Sequence, residues 1–271
     1  MPERNLQAFD RRILAPLRAL IRAKYFSFSV QGAEHVPRNG NAIYVCNHSG
    51  WIALDTLFAG LAVADHVGLE RFPWCAAHDS WYETRLFHGF FETAGGFPAS
   101  WLRTPERLPS KMQVLAVFPE GTEGNCKSFV HAYQMREWRT GFIRLALARN
   151  AAVVPIAIIG GEESLPSLCT IRFVKSAFGT VVPLPLTPLP LPTRWKVVFH
   201  KPFHIGKSDL NGYEASTEAR NEVFRRIAAR TRADLQRTID RETADRSLAR
   251  FSRFLSRQLV DRIPRLGKST S

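Results

Sequence analysis

Between residues 25 and 160 the chain alternates short apolar runs with amphipathic stretches. "YFSFSV" (25–30) reads as a strand, "AIYVC" (42–46) as a buried strand and "IALDTLFAGLAVA" (52–64) as a helix. The pattern repeats: "WCAAH" (74–78) predicts a strand, "WYETRLFHGFFETA" (81–94) a helix, "VLAVF" (114–118) a strand, "GFIRLALARN" (141–150) a helix and "AVVPIAIIG" (152–160) a strand. Short β-branched runs separated by helical segments predict one α/β domain, with a mostly parallel or mixed central sheet flanked by helices. "RWKVVFH" (194–200) adds a late strand. The preceding "VVPLPLTPLPLP" (181–192) is too rich in proline, which has no amide donor, to lie in the middle of a sheet. It reads as an extended surface segment, an edge or a rigid loop.

The two ends differ from this body. Leu6, Phe9, Ile13, Leu14, Leu17 and Ile21 recur at helical spacing, with Arg11, Arg12, Arg18 and Arg22 at other angles. This is an amphipathic cationic helix, suited either to a lipid interface or to packing on its own domain. From about residue 213 the chain is again helical and rich in arginine, with Leu248, Phe251, Leu255 and Leu259 forming a stripe. The expected organisation is a membrane-associating helix at 1–24, a body at 25–206 and a helical basic extension at 207–271.

Charge sharpens this division. Of the net +13 carried by 271 residues, the first 24 supply +4 and residues 213–271 supply +6. A nearly balanced body between cationic ends points to an anionic partner, either lipid or nucleic acid, and no nucleic-acid-binding motif is present. The four cysteines are scattered without metal or disulfide spacing, and the histidines show no ligand pattern, so no metal is expected. The N-terminus lacks a signal-peptide core, and no apolar run reaches the ~18 residues of a spanning helix.

Two polar interruptions carry the candidate chemistry. "CNHSGWIALDTLF" (46–58) places His48 where a strand gives way to a helix, with Asp55 seven positions on. On an unbroken helix the two would share a face about 10 Å apart, so they meet only if Ser49, Gly50 and Trp51 form a loop. "VLAVFPEGTEGNCKSF" (114–129) is a strand ending at Phe118-Pro119-Glu120-Gly121-Thr122. Ligand sites of parallel sheets lie beyond such carboxyl ends. Ser49 lacks the surroundings of a hydrolase nucleophile, and Cys46 reads as a buried small residue.

Together the N-H block, the F-P-E-G-T block and Val154-Pro155-Ile156-Ala157 resemble the glycerolipid acyltransferase family, which includes the bacterial lysophosphatidate acyltransferases. The resemblance covers roughly residues 6–205, and this chain resembles a divergent branch whose His-to-Asp gap is longer. It implies transfer of a fatty acyl group from acyl-CoA or acyl carrier protein, used as substrate with no cofactor, to a hydroxyl of a lysolipid acceptor. His48 is then the general base and Asp55 its orienting partner. Glu120 is assigned to an acceptor hydroxyl or to backbone amides that hold the loop, Gly121 to close approach and an oxyanion-stabilising amide, and Thr122 to substrate binding.

Where the family carries an arginine after F-P-E-G-T this chain has Glu123, and Lys127 is the expected replacement cation. Where the family has an arginine in a G-x-F-x-x-R-like block, Gly95-Gly96-Phe97-Pro98-Ala99-Ser100 has none and Arg103 is the candidate. Lysophosphatidate, another lysophospholipid, an aminolipid and diacylglycerol all stay open as acceptor. The resemblance and the charged ends together imply a peripheral protein on the cytoplasmic face of the cell membrane, with an anionic membrane surface as partner and no nucleic acid. The alternative is a catalytically inactive membrane-binding, or less favoured nucleic-acid-binding, protein of the same fold.

Overall fold

The computed structural model describes residues 4–50, 52, 54–79, 89, 93–171, 182–206, 208–211 and 216–262. Most of the helix expected over 81–94 lies outside these residues, as does Trp51. Seven strands form one sheet: β1 (Phe26–Gln31), β2 (Ala42–Cys46), β3 (Trp74–Ala77), β4 (Gly96–Pro98), β5 (Val114–Val117), β6 (Ala152–Ile159) and β9 (Thr193–Phe199). Their spatial order is β1-β9-β6-β2-β5-β3-β4. All neighbours are parallel except β6 and β9, which run antiparallel, so the sheet is mixed. A separate antiparallel hairpin joins β7 (Ser167–Ile171) to β8 (Val182–Pro185).

Every residue of β2 is buried, as expected of a central parallel strand covered on both faces. Its alternate side chains feed two cores. Ile43 and Val45 join Leu115, Val153 and Val198 beneath the helix Gly141–Ala148. Tyr44 and Cys46 join Ala116, Ile156 and Trp195 on the opposite face. There the helix Leu54–Val67 covers the sheet, contributing Leu54, Phe58, Leu61 and Val63. Phe58 stacks on Trp195 with ring centroids 4.2 Å apart. The result is a three-layer α/β/α domain.

Both ends pack into this body. We label the helices in chain order: α1 (residues 6–22, with a π turn at Asp10–Leu14), α2 (Leu54–Val67), α3 (Gly121–Asn125), α4 (Gly141–Ala148), α5 (Gly161–Ser164), α6 (Thr217–Glu242) and α7 (Ser247–Arg262). The apolar face of α1 turns inward: Phe9 and Leu14 are fully buried with Ala64 and Phe72, and Leu17 joins the α2 core. Leu6, Ile13 and Ile21 are partly buried against the same clusters, and Leu20 of this helix is exposed. The described C-terminal helices also pack on the body. Val223, Phe224, Ile227, Leu235 and Ile239 of α6 and Ala249 of α7 complete the same core as β5 and α4. In the stripe expected on α7, Leu248 is partly buried while Phe251 is exposed.

The central edge of this sheet positions the candidate site. The carboxyl ends of β2, β5, β3 and β4 point the same way, and the helices on either face lock them. Leu235→Ala should therefore destabilise the whole domain by about 2–5 kcal/mol, read as a shifted single transition in urea unfolding. An unchanged main transition would mean that α6 folds apart from the sheet.

Candidate active site

The site begins where β2 ends. Asn47 is buried and its side-chain amide replaces a peptide: Nδ2 donates to the Ile158 carbonyl (2.8 Å) and Oδ1 accepts from the Ile158 amide (2.7 Å). This extends the β2–β6 ladder by one step and aims the next residue off the sheet edge. The chain then turns through Gly50, whose φ of +75° favours glycine, before α2 starts at Leu54.

That break brings His48 and Asp55 together. The His48 Nδ1–H donates to Asp55 Oδ2 at 2.6 Å, and the same oxygen accepts the Ser49 amide at 2.8 Å. Asp55 Oδ1 takes the Thr56 amide at 2.7 Å. Asp55 is fully buried, whereas the His48 side chain keeps 14% exposure. With Nδ1 committed as donor, the lone pair of the neutral ring resides on Nε2. Phe118 flanks the imidazole with centroids 4.3 Å apart, limiting the orientations open to it.

The second corner comes from the end of β5. Glu120 is buried, and its Oε1 accepts the His48 backbone amide at 3.0 Å. Its Oε2 accepts the Arg136 amide at 2.7 Å and the Lys127 ammonium at 3.3 Å. Of the two roles expected for Glu120, the geometry therefore gives it the backbone one. Gly124 lies so close that an added Cβ would sit 2.3 Å from the Glu120 Cβ.

Lys127 does not reach the site as the expected substrate cation. It is buried beneath it, between Glu120 and Glu162, the second pair at 3.5 Å. Burial would lower its pKa, but the two carboxylates outweigh burial and hold it above the ordinary lysine value. Burial raises the Glu162 pKa, opposed by Lys127. Glu162 also accepts the Tyr133 amide at 3.3 Å. Sequence reasoning missed Glu162, whose "GGEES" context offers no signal beyond a turn.

The remaining expectations divide. The Gly121 amide is not free for an oxyanion, because it donates to the Phe118 carbonyl at 2.9 Å. Gly121 has φ of +61°, and an added Cβ would lie 3.3 Å from the Arg139 guanidinium carbon. The exposed cation beside Gly121 is thus Arg139, from well downstream. Thr122 is half-buried in α3, next to Gly121. Arg103 is exposed at the end of a short 3-10 turn after β4. It follows β4, which is three strands from β2 in the sheet. Cys46 is fully buried, and burial, with the nearby Asp55 charge, raises its pKa far above the ordinary thiol value, so it is inert. Among the described residues no three His, Cys, Asp or Glu side chains converge as metal ligands.

Gly161, the first residue of α5, supports the His48 loop from behind. A Cβ there would lie 2.2 Å from Ser49 Oγ and 3.0 Å from Ser49 Cβ. Gly161→Ala should therefore push Ser49 and His48 outward and lower turnover by about tenfold or more, with Ser49→Gly in the same chain restoring part of it. Lys127→Met should cost about 3–5 kcal/mol, because it strands two buried carboxylates. Since the Lys127 pKa is raised by folding, its stabilisation is complete below the ordinary value of 10.5 and is lost as pH rises through the folded value. The deficit in chemical denaturation should be full at neutral pH and shrink in alkali.

The acyltransferase family profile matches residues 27–159, a stretch that runs from β1 to the end of β6 and holds both corners of the site. A protein of Mycobacterium tuberculosis, itself uncharacterised, is 31% identical over 250 residues, spanning 88% of this chain and 68% of its own length. One from Mycobacterium leprae is 29% identical over 249 residues, spanning 88% of this chain and 66% of its own length. The crystal structure of a 1-acyl-sn-glycerophosphate acyltransferase from Thermotoga maritima shares the fold at 16% identity, with a TM-score of 0.50 over 86% of this chain and 84% of that one. With the histidine and the Pro-Glu-Gly corner joined at one sheet edge inside the matched region, the chain belongs to the acyltransferase family.

Proposed function

We propose that the protein transfers a fatty acyl group from a thioester, on coenzyme A or acyl carrier protein, to a hydroxyl of a lysophospholipid or related glycerolipid. The observation that carries this reading is the 2.6 Å contact between His48 Nδ1 and Asp55, which leaves Nε2 as the basic atom at the sheet edge.

The acceptor hydroxyl gives its proton to His48 Nε2 as its oxygen bonds to the thioester carbonyl carbon. Collapse of the tetrahedral intermediate breaks the C–S bond, and the departing thiolate takes the proton back from the imidazolium. Asp55 fixes the tautomer and stabilises the imidazolium, with its own desolvation offset by the Ser49 and Thr56 amides. A thioester is already activated, so no covalent enzyme nucleophile enters. Arg139 beside Gly121 offers a contact to an anionic group of acceptor or donor. The acceptor resides in a bilayer, so the protein works at an anionic membrane surface, consistent with its net charge of +13. Among the described residues no helix is long and apolar enough to cross a membrane.

The test is release of free thiol from acyl-CoA in the presence of a panel of lysolipids. His48→Ala should lower the rate by at least about a hundredfold, and Asp55→Asn should lower it strongly with the fold retained by circular dichroism. Full activity in both variants would leave the reading without its base, and vesicle binding with no thioester turnover in the unmodified chain would favour a binding protein of the same fold.

A further inference from the structure

Among the described residues, the largest concentration of exposed leucines lies on the Pro-rich segment after β8, outside the catalytic edge. Leu189 is 72% and Leu186 56% exposed, with Leu184, Leu191 and, on the adjoining β7, Leu168 also exposed. Large side chains left in water on a folded domain mark a contact surface when they cluster. Here the backbone beneath them is unusual. Residues 183–192 contain five prolines, which have no N–H. Of the remaining amides, that of Leu186 donates to the Pro166 carbonyl (2.8 Å) and that of Leu191 to the Ser164 carbonyl (2.7 Å). Four of the carbonyls are occupied too. Leu184 O accepts from Ser167 Oγ, Leu189 O from Thr187 Oγ1, Pro190 O from the Tyr25 hydroxyl, and Leu191 O from Ser164 Oγ and Thr193 Oγ1.

Moving a peptide into hydrocarbon is costly because its polar groups lose water. A segment with five prolines in ten residues and several of its remaining polar groups bonded internally escapes part of that cost, so its leucines can enter an apolar phase without unfolding. The same lack of donors prevents the segment from adding a strand of another chain. The charge beside it is cationic in balance. Lys24, Arg194 and Arg246 border the same shallow groove as Tyr25, Leu191 and Pro192, against Glu163 and Asp245, which pair with Arg246 and Arg194, and Arg22 is exposed nearby at the end of α1. We infer that residues 184–191, with Leu168 and the Lys24–Tyr25 corner, form the surface that seats this protein on an anionic lipid bilayer.

The inference rests on the acyltransferase reading for its purpose, since that acceptor lies in a bilayer. The surface adjoins the site through α5: Ser164 holds Leu191 at one end, and Gly161 abuts Ser49 beside His48 at the other. Ile52, four residues beyond His48, is exposed as well. On α1, Phe9, Leu14 and Leu17 face the domain while Leu20 and Arg22 are exposed at its end.

The full chain is tested by co-sedimentation with vesicles of equal parts phosphatidylcholine and phosphatidylglycerol. Leu186→Glu with Leu189→Glu should weaken binding at least about tenfold without changing thermal unfolding, and without changing thiol release when the acceptor is a monomeric short-chain lysolipid. Leu189→Trp should show a blue-shifted, brominated-lipid-quenched emission on the same vesicles. Unchanged binding of the glutamate pair, an unshifted and unquenched emission from the Leu189→Trp variant, or a wild-type dimer that the glutamate pair converts to monomer would overturn the inference. Loss of vesicle binding in the pair, alongside a wild type that releases no thiol on any lysolipid, would uphold the surface and remove the acyltransferase reading instead.

Discussion

A carboxylate removed from water is tolerable only when donors surround it, and Glu120 collects three from different parts of the chain. The amide of His48 ends β2, the amide of Arg136 belongs to the loop before α4, and the Lys127 ammonium reaches up between Glu120 and Glu162. Holding those donors in place fixes the backbone of His48, while Asp55 and Phe118 fix its ring. Two anchors on one residue, through separate atoms, make the position of Nε2 a property of the buried edge rather than of a mobile loop. The rest of the domain keeps β2, β5 and β6 in register so that those donors converge.

Much of this was legible in the pattern of apolar positions. Five consecutive apolar residues in "AIYVC" read as a strand covered on both faces, and β2 is buried throughout. The helical and strand periods placed α2, α4, β5 and β6 correctly, because each buries a face whose period its own sequence states. The orientation of β9 and β1 was not legible. Their period-two patterns are the same whichever way a strand runs, and direction depends on connections that the local pattern does not state.

The site was legible in its pairs and illegible in its depth. His48 and Asp55 were too far apart on any regular helix, so the glycine-containing break was the one way for them to meet, and Gly50 at positive φ supplies it. Sequence spacing says nothing about whether a cation points up into a cleft or down into the core. Lys127 lies seven residues from Glu120 and was expected as a substrate contact, yet α3 turns it inward, where Glu162 from beyond β6 completes its coordination. The exposed cation beside Gly121 comes from Arg139, brought back by the bond from its amide to the Pro119 carbonyl at 3.1 Å. Neither contact has a local signature, because both are made across the sheet edge.

The same lesson about amides separates the two apolar stripes at the surface. An amphipathic helix satisfies its backbone wherever it lies, so the stripe on α1 is suited to lipid and to its own domain alike, and Phe9 and Leu14 pack on Ala64 and Phe72. The proline-leucine segment had no such choice. Poor in donors, it has no place in a central strand, and with backbone groups bonded to Ser164, Pro166 and Tyr25 it holds its leucines outward. Proline excludes a segment from the sheet interior and also lowers the cost of placing its side chains against hydrocarbon. A stretch that reads as a stiff connector in sequence is therefore the part of this fold best prepared to leave water.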